Sequence, residues 1–584
     1  MKETIYLGIS LGFNSSAALV SNKRGVLFAI SEERLNNEKN TKKFPELAIK
    51  HCCLYAFNND LCVNKIVVSY YGIITKEYFN KYCSIFTFDD WHTQLLRYCN
   101  SMCKIDLKSC DTVIESKSHQ LNHATATLAF YNNKHKDYYL VSSDGFGLGL
   151  SGAIYDRDLH LIDSIELSES VGLVYQFTTG ALGFKEHQHE GKLTGLAAFG
   201  KPIYKDNFYN LFCKCSDHNG LSYAGYKTLD RLDYSDEEIE LIRKNNFIPN
   251  FGLFMKLKNS VYTMVQDLLK NNASKEDISA SLQKFSEEVT INWLKRYCNR
   301  KIPVFLSGGL FANVKINQAI KDSGIFTDVY VCPPMGDEGT SIGCCVSDML
   351  EHGIFNIKIR NDSNTPCVGP DVDSEYITNY EALNILDELH LADKYSINIV
   401  HNKRKLHKYI VSKLKDNKVV CYMNGKLEFG PRALCHRSIL YNADAYETNN
   451  WLNEKLNRSE FMPFAPVCLD KFANDLFKNI KHGRQSAKYM TMTFDATDYF
   501  INNCRAACHI DNTARPQIIS KRSDKDMYNI LMLYYKLTNK KALINTSWNL
   551  HNYPIICRSD KAIRDFITAD LDVLVIGNVV ISKI

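Results

Sequence analysis

The sequence predicts an α/β protein of two domains: a duplicated α/β unit of the sugar kinase/actin type, then a smaller α/β domain. Three observations carry this. The chain has 584 residues, more than one ordinary core accommodates, which sets an expectation of roughly two to four domains. Two strand–turn–strand blocks recur in its first part, each followed by helical sequence. A polar stretch over residues 356–376, "NIKIRNDSNTPCVGPDVDSEY", then interrupts the pattern and reads as the domain junction. The domains are expected at 1–358 and 374–584.

In the first block, "TIYLGIS", "SAALVS" and "GVLFAISEER" read as three strands, with "GFNSS" as the turn between the first two. The second block is "DYYLVSSDGFGLGLSGAIYD" continued by "LHLIDSIELSES". Two further junctions run strand, glycine loop, helix: "IPVFLSGGLFANVKINQAI" and "VYVCPPMGDEGTSIGCCVSDML". Such turns leave backbone N–H groups free to face an anion. Beyond the junction lies a second α/β region of ordinary domain size, holding "KVVCYMNGKLEFGPRAL", "ARPQIIS", "KALINTSWN" and "LDVLVIGNVVIS".

The composition, 45% hydrophobic and 23% charged, is that of a soluble globular chain. A net charge of +5 permits nucleic-acid contact without marking a polyanion binder. The 20 cysteines are scattered or adjacent, with no C-x-x-C pair. No signal peptide or membrane-spanning stretch is read, so reduced core cysteines and a cytoplasmic location are expected, with no membrane partner.

"KSHQLNHATATLAFY" reads as helix and places His119 and His123 four positions apart, on one face. Gln120 stands where a zinc protease carries its glutamate. The pair offers two nitrogens to a divalent metal, and Asp144 in "SSDGFG" and Asp337 in "MGDEG" offer carboxylates from glycine loops. That donor set suits Fe(II), Mn(II) or Zn(II). Spacing alone leaves open a second reading, two surface histidines on an amphipathic helix. The loops at Gly308, Gly309, Asn313 and Gly336 can cradle phosphate, though such glycines also serve tight packing. Lys192, in "HEGKLTGLAAFGKP", either pairs with phosphate or lies in an exposed charged turn.

The second domain concentrates arginines in rigid turns. "GKLEFGPRALCHRSIL" holds Lys426, Glu428, Arg432 and Arg437, and "LNRSEFMPFAP" adds Arg458. "HIDNTARPQ" supplies His509 and Arg515, and "INTSWN" supplies Asn545, Thr546, Ser547 and Asn549. Arginines near Gly-Pro, Met-Pro and Arg-Pro bonds are placed to fork onto oxyanions, which implies a phosphorylated substrate and a nucleotide.

Taken together, "LGISLGFNSSAALV", "SHQLNHA", "SSDGFG", "EGKLTGLAAFGKP", "SGGLFAN", "MGDEGTSIG", "GKLEFGPRAL", "HIDNTARPQ" and "INTSWN" resemble the O-carbamoyltransferases of antibiotic and nodulation-factor biosynthesis, the tobramycin carbamoyltransferase type. The resemblance covers nearly the whole chain. It implies a sugar kinase/actin-like metal- and adenylate-binding domain joined to a YrdC-like domain. In the second, carbamoyl phosphate and ATP, with Mg²⁺, form carbamoyl-adenylate and pyrophosphate. In the first, a metal, Fe(II) in preference to Mn or Zn, helps pass the carbamoyl group to an acceptor hydroxyl. Arg432, Arg437, Arg458, His509 and Arg515 are implied as catalytic. Gly308, Gly309, Asn313, Gly336, Lys192, Lys426, Asn545, Thr546, Ser547 and Asn549 are implied to bind substrate or nucleotide, and His119, His123, Asp144 and Asp337 to hold the metal. A homodimer is implied by analogy.

The chain departs from the family pattern at three places: Asn14-Ser15 where many members carry His-Asp, Cys435-His436 where many carry Gly-Asn, and Met462 in place of an arginine. These departures resemble a bacterial and phage subgroup, for which hydroxymethylated pyrimidine in DNA is a conceivable acceptor, alongside a sugar or small molecule. Nucleic acid enters the expectations only there. Two other readings stay open: a sugar-kinase-like phosphotransferase, resting on the first-domain loops, and a non-catalytic nucleotide- or DNA-binding homologue, to which Asn14-Ser15 and Met462 would point.

Overall fold

The computed structural model describes residues 3–70, 76–106, 110, 112–116, 118–131, 135–215, 251–354, 365–444, 447–456 and 464–584. It divides into two compact units, Met1–Glu32 with Asn40–Asn361, and Glu33–Lys39 with Asp362–Ile584.

The first unit holds two five-stranded sheets of one design. In the first, β1 (Ile5–Leu11), β2 (Ser16–Ser21) and β3 (Gly25–Ser31) form an antiparallel meander, and β4 (Lys65–Tyr70) and β5 (Val113–Glu115) continue parallel to β1. The order is β3-β2-β1-β4-β5. In the second, β6 (Tyr139–Gly147), β7 (Leu150–Tyr155) and β8 (Leu161–Glu166) form the meander, and β9 (Val304–Ser307) and β10 (Val329–Val331) run parallel to β6, in the order β8-β7-β6-β9-β10. The same order and strand sense twice over is the duplication expected for the sugar kinase/actin class. β1, β2, β7 and β9 are buried at every residue, as strands covered on both faces should be.

Helix α1 (Glu46–Asn58) is capped from a distance: the Glu32 carboxylate accepts from Leu47 N at 3.3 Å and Ala48 N at 2.8 Å. Two helices occupy equivalent places, α2 (His119–Ala126) after β5 and α7 (Thr340–Glu351) after β10; between them in sequence come α3 (Val171–Ala181), α4 (Glu190–Leu196), α5 (Lys275–Tyr297) and α6 (Val314–Asp322). α2 and α7 cross at Gly343, where a Cβ would lie 1.7 Å from Asn122 O. Only glycine permits that approach, and Thr125 Oγ1 donates to Gly343 O at 3.0 Å.

Among the described residues of this unit, Glu169 is a buried acid without a hydrogen-bond partner. Glu169 is 1% exposed and neither carboxyl oxygen makes a hydrogen bond. Burial, with Glu166 and Asp163 nearby, pushes it from an ordinary 4.5 up to about 7. A folded-state value above the unfolded one favours folding while the group is protonated and withdraws that support as pH rises through 7. Glu169→Gln is therefore expected to match the parent at pH 5 and to be more stable at pH 8, by up to about 3 kcal/mol, as urea unfolding at the two pH values would read.

The second unit is built on one mixed eight-stranded sheet. Its strands are β11 (Tyr395–Ile399), β12 (Val420–Met423), β13 (Arg437–Asn442), β14 (Ala465–Leu469), β15 (Gln517–Ile519), β16 (Ala542–Ser547), β17 (Val573–Ile576) and β18 (Val579–Lys583), in the order β11-β18-β17-β12-β13-β16-β14-β15. Helices α8 (Glu375–Glu388), α9 (Lys403–Lys415), α10 (Lys525–Thr538) and α11 (Ser559–Thr568) complete it. The segment Glu33–Lys39 belongs here, although it follows the first unit's β3. Buried Arg34 donates from Nη2 to Gly430 O at 2.7 Å and from Nη1 to Ile555 O at 3.2 Å. Among the described residues no helix is long and apolar enough to cross a membrane.

Candidate metal centre and arginine loops

Parallel strands end at one edge of a sheet, so the loops that leave them converge. In the second sheet of the first unit, β6, β9 and β10 lead at their carboxyl ends into the loops of Asp144, Gly308-Gly309 and Gly336-Asp337. Asp144 sits where the pairing of β6 with β7 shifts register between Ser143 and Gly147. A bulge of this kind re-aims a side chain out of the ladder. His119 and His123 come from the first turns of α2, whose N-cap Ser118 accepts from Leu121 N at 3.1 Å.

These four residues meet. His123 Nε2 lies 3.2 Å from Asp337 Oδ1 and 3.6 Å from Asp144 Oδ2. His119 Nε2 lies 3.5 Å from Asp144 Oδ2 and 3.7 Å from Asp337 Oδ1. The two Nε2 atoms are 3.0 Å apart, and all four ligand atoms fall within 4.8 Å of one another. Metal–ligand bonds of about 2.1 Å place neighbouring ligands about 3.0 Å apart in an octahedron and about 3.4 Å in a tetrahedron, so the spacing fits a first-row divalent ion. Charge fits as well, because two half-buried carboxylates held this close together need compensation. The surface-histidine reading fails: His119 is 2% and His123 0% exposed. Burial opposes charging of His123, but Asp144 and Asp337 outweigh it and hold the imidazole up to about 10. Those imidazoles likewise keep Asp144 far below the ordinary carboxylate range despite its burial.

The surrounding glycines are fitted to this group. Gly309 N donates to Asp144 Oδ1 at 3.2 Å, and a Cβ there would approach that oxygen to 2.5 Å. Gly308 has φ +101, and a Cβ would meet Ser143 O at 2.2 Å. Gly336 immediately precedes Asp337, and its carbonyl accepts from Gly339 N at 3.0 Å. Asn14, from the β1–β2 turn, donates to Glu338 Oε2 at 2.8 Å and so reaches the same loop. Asn313 is spent on structure: it caps α6 through Lys315 N and Ile316 N and donates to Gln283. Lys192 lies within α4 and is 8% exposed, so the exposed-turn reading does not describe it.

In the second unit, β13, β14 and β15 begin, and β16 ends, at one end of the sheet, as the pairs Ser438↔Ser547, Ala465↔Asn545 and Val467↔Gln517 show. The loops carrying Arg432, Arg515 and the Thr546-to-Asn549 stretch therefore gather there. Arg458 lies outside the described residues. The loop before β13 is wound around Glu428, whose Oε1 accepts from Leu434 N at 2.7 Å, His436 N at 3.1 Å and Arg437 N at 3.0 Å. Arg432, Arg515, Thr546, Ser547 and Asn549 are half-buried, and Lys426 is exposed. Ser547 Oγ donates to Asn549 Oδ1 at 2.6 Å. His509 is buried in a turn, its Nδ1 3.1 Å from Thr513 Oγ1.

Two residues occupy other positions than the sequence reading implied. Arg437 is 0% exposed, and its guanidinium donates to Gly425 O at 2.8 Å, His436 O at 3.0 Å and Pro370 O at 3.3 Å. Asn545, 1% exposed, donates to Gln517 Oε1 at 2.6 Å and Ala433 O at 3.2 Å. Both brace the loop from beneath. Local sequence hides this, because most of their partners, Gly425, Pro370, Ala433 and Gln517, lie on other segments of the chain.

The family model described as "Carbamoyltransferase N-terminus" matches residues 5–346, and "Carbamoyltransferase C-terminus" matches residues 411–583. The chain belongs to the carbamoyltransferase family. This carbamoyltransferase is 31% identical to the protein MJ1051 of Methanocaldococcus jannaschii over 99% of both chains. It is 26% identical to the nodulation protein NolNO of Sinorhizobium fredii, over 98% of this chain and 79% of that one. The nodulation-type family read from the motifs is thus the right one, and the protein is a transferase enzyme. Among solved structures, the activator of 2-hydroxyisocaproyl-CoA dehydratase from Clostridium difficile overlaps 60% of this chain and 97% of its own, at 12% identity and a TM-score of 0.32. Sequence reasoning missed Arg34, whose partners in the carbamoyltransferase, Gly430 and Ile555, are visible only in three dimensions.

Proposed function

We propose that this carbamoyltransferase is an ATP-dependent O-carbamoyltransferase that divides its reaction between its two units. The observation that carries the reading is the presence, in one carbamoyltransferase chain, of two chemically distinct constellations: a buried His₂Asp₂ group in the first unit and arginine-bearing loops at one sheet end in the second. In the second unit, carbamoyl phosphate and Mg²⁺-bound ATP give carbamoyl-adenylate. Phosphate and pyrophosphate leave, and one water is consumed.

That step gathers many negative oxygens, and fixed cations offset them. Arg432 and Arg515 face the anions, with Lys426, His509, Thr546, Ser547 and Asn549 placing groups around them, and Arg458 is assigned the same charge-offsetting role by the family resemblance alone. Arg437 and Asn545 act as positioning residues beneath the loop. In the first unit, His119, His123, Asp144 and Asp337 would hold a divalent ion, Fe(II) in preference to Mn(II) or Zn(II), which supplies Lewis-acid polarisation of a carbonyl or phosphoryl oxygen. The Gly308, Gly309 and Gly336 loops, with Asn313 and Lys192 behind them, offer backbone N–H groups to the adenylate. The acceptor is a hydroxyl on a small molecule, sugar or hydroxymethylated pyrimidine.

The test is the product pair. Pyrophosphate and AMP should form only when carbamoyl phosphate is present, and Arg515→Ala should abolish their release. Formation of ADP instead would overturn the reading. Labelled carbamoyl phosphate, followed across alcohols, sugars, nucleosides and hydroxymethylated DNA, identifies the acceptor.

A further inference from the structure

The β1–β2 turn of the first unit, where Asn14-Ser15 departs from the family pattern, takes no part in this scheme. Ser15 N donates to Thr41 O at 3.3 Å and Ser15 Oγ donates to Lys43 O at 2.6 Å, so the turn grips the chain on both sides of Lys42. An ionised aspartate at position 15 would accept hydrogen bonds but could not make the second of these. Lys42 is half-buried, with Nζ 3.7 Å from the centroid of the Phe13 ring, a favourable cation–π contact. Among the described residues its ammonium has no carboxylate partner. Burial and the like charge of Lys81 hold it below its ordinary value.

The same ring touches His187, with 4.6 Å between centroids, and Asn40 Nδ2 donates to His187 O at 2.9 Å. Two chains of contact tie this group to the metal centre. His187 Nε2 lies 3.2 Å from Gln176 Nε2 on α3, and Gln176 Oε1 would lie 4.0 Å from a Cβ at Gly145, the residue after Asp144. From the other side, Asn14, next to Phe13, donates to Glu338, next to Asp337. Acids on the His187 loop are already engaged. Glu186 accepts from Tyr262 Oη at 2.6 Å and Gln176 Nε2 at 3.0 Å and lies 3.1 Å from Lys258 Nζ, while Glu190 Oε1 accepts from His187 N at 2.5 Å. With Gln176 donating to Nε2, neutral His187 carries its own proton on Nδ1 and offers it as a donor. A half-buried ammonium without a counter-ion, beside such a donor, is complementary to an anion.

We infer that Lys42, with Phe13 and His187, forms a subsite for an anionic group on the acceptor, so that the acceptor is a hydroxyl compound bearing a phosphate or carboxylate, not a neutral alcohol or sugar. The inference rests on the reading of the first unit as the place of carbamoyl transfer. An anion on Lys42 supplies the counter-charge that the protein does not, and the contacts through Gln176 and Asn14 hold the subsite beside both carboxylate loops of the His₂Asp₂ group. Sugar phosphates and nucleotides share this chemistry with hydroxy acids.

The probes are two matched sets offered to the full chain with ATP and labelled carbamoyl phosphate: glycerol phosphate, glycerate and glycerol, then uridine monophosphate and uridine. In each set kcat/KM for label transfer is expected to be at least about tenfold higher for the charged members. The glycerate arm tells whether a carboxylate serves as well as a phosphate. Lys42→Ala is expected to bring the charged members down to the neutral level, chiefly through KM, and Lys42→Arg, which keeps the charge, to retain most of the preference. Pyrophosphate release by the parent is read in the same samples, and its absence marks failure of the two-step reading, not of the subsite. A second readout needs no turnover and decides the matter if no acceptor in either set is labelled. Acetylation of Lys42 by a limiting N-hydroxysuccinimide ester, followed by peptide mass spectrometry, is expected to slow severalfold with glycerol phosphate and not with glycerol. Equal kcat/KM for charged and neutral members, or a Lys42 acetylation rate that glycerol phosphate, glycerate and uridine monophosphate all leave unchanged, overturns the inference.

Discussion

His123→Ala is expected to abolish carbamoyl transfer to any acceptor while leaving carbamoyl-phosphate-dependent pyrophosphate release within about threefold of the parent. The argument starts from burial. His123 is fully buried between Asp144 and Asp337, so truncation removes one of four ligand atoms. Loss of a single outer partner of a ligand typically costs ten- to a hundredfold in metal affinity, and loss of the ligand itself should cost about a hundredfold or more. The two carboxylates then face each other with one imidazole fewer, and an uncompensated buried charge costs about 3–5 kcal/mol, so apo protein should unfold earlier. Equilibrium dialysis with Fe(II), Mn(II) and Zn(II) measures the first effect. Thermal unfolding with and without the ion separates the second from it. Pyrophosphate release provides the control: if His123→Ala or His119→Ala stops that as well, the division of labour between the units is wrong.

Much of this centre was legible in the sequence because its parts carry local signatures. The i, i+4 histidines announced a helical face, and each aspartate sat in a glycine loop after an apolar strand. What could not be read was burial. "HQLNHATA" contains too few large apolar residues to look like a core helix, yet α7 closes on it through Gly343, which lets two backbones nearly touch. The duplicated sheets were legible for a related reason, since strand–turn–strand blocks are local patterns. Arg437 and Arg34 mark the limit. An arginine in a short polar loop reads as an anion ligand from sequence, whether its donors face a substrate or, as at Arg437, the carbonyls of Gly425, His436 and Pro370. The segment Glu33–Lys39 follows a first-unit strand directly, and nothing local shows that Arg34 bonds to Gly430 and Ile555.

Glu428→Ala is expected to reduce pyrophosphate release about a thousandfold while leaving divalent-metal affinity unchanged. One oxygen of this carboxylate gathers the N–H groups of Leu434, His436 and Arg437, and its residue is 1% exposed. Hydrogen bonds to a charged acceptor contribute roughly 1.5–3 kcal/mol each, and three donors left unsatisfied in a buried loop cannot all find water. The loop must therefore open, costing about 3–5 kcal/mol of local stability. Opening it displaces Arg432 at the loop tip and frees the Arg437 brace below. A displacement of about 1 Å in a positioning element costs about a hundredfold in rate, and loss of the loop's fixed form costs more. Amide hydrogen exchange at Leu434, His436 and Arg437 would report the opening directly. Glu428→Gln, which keeps the acceptor oxygen but not its charge, should fall between the variant and the parent in both exchange and rate. Equal pyrophosphate release in Glu428→Ala and the parent would show that the arginine loop is not where the adenylate forms.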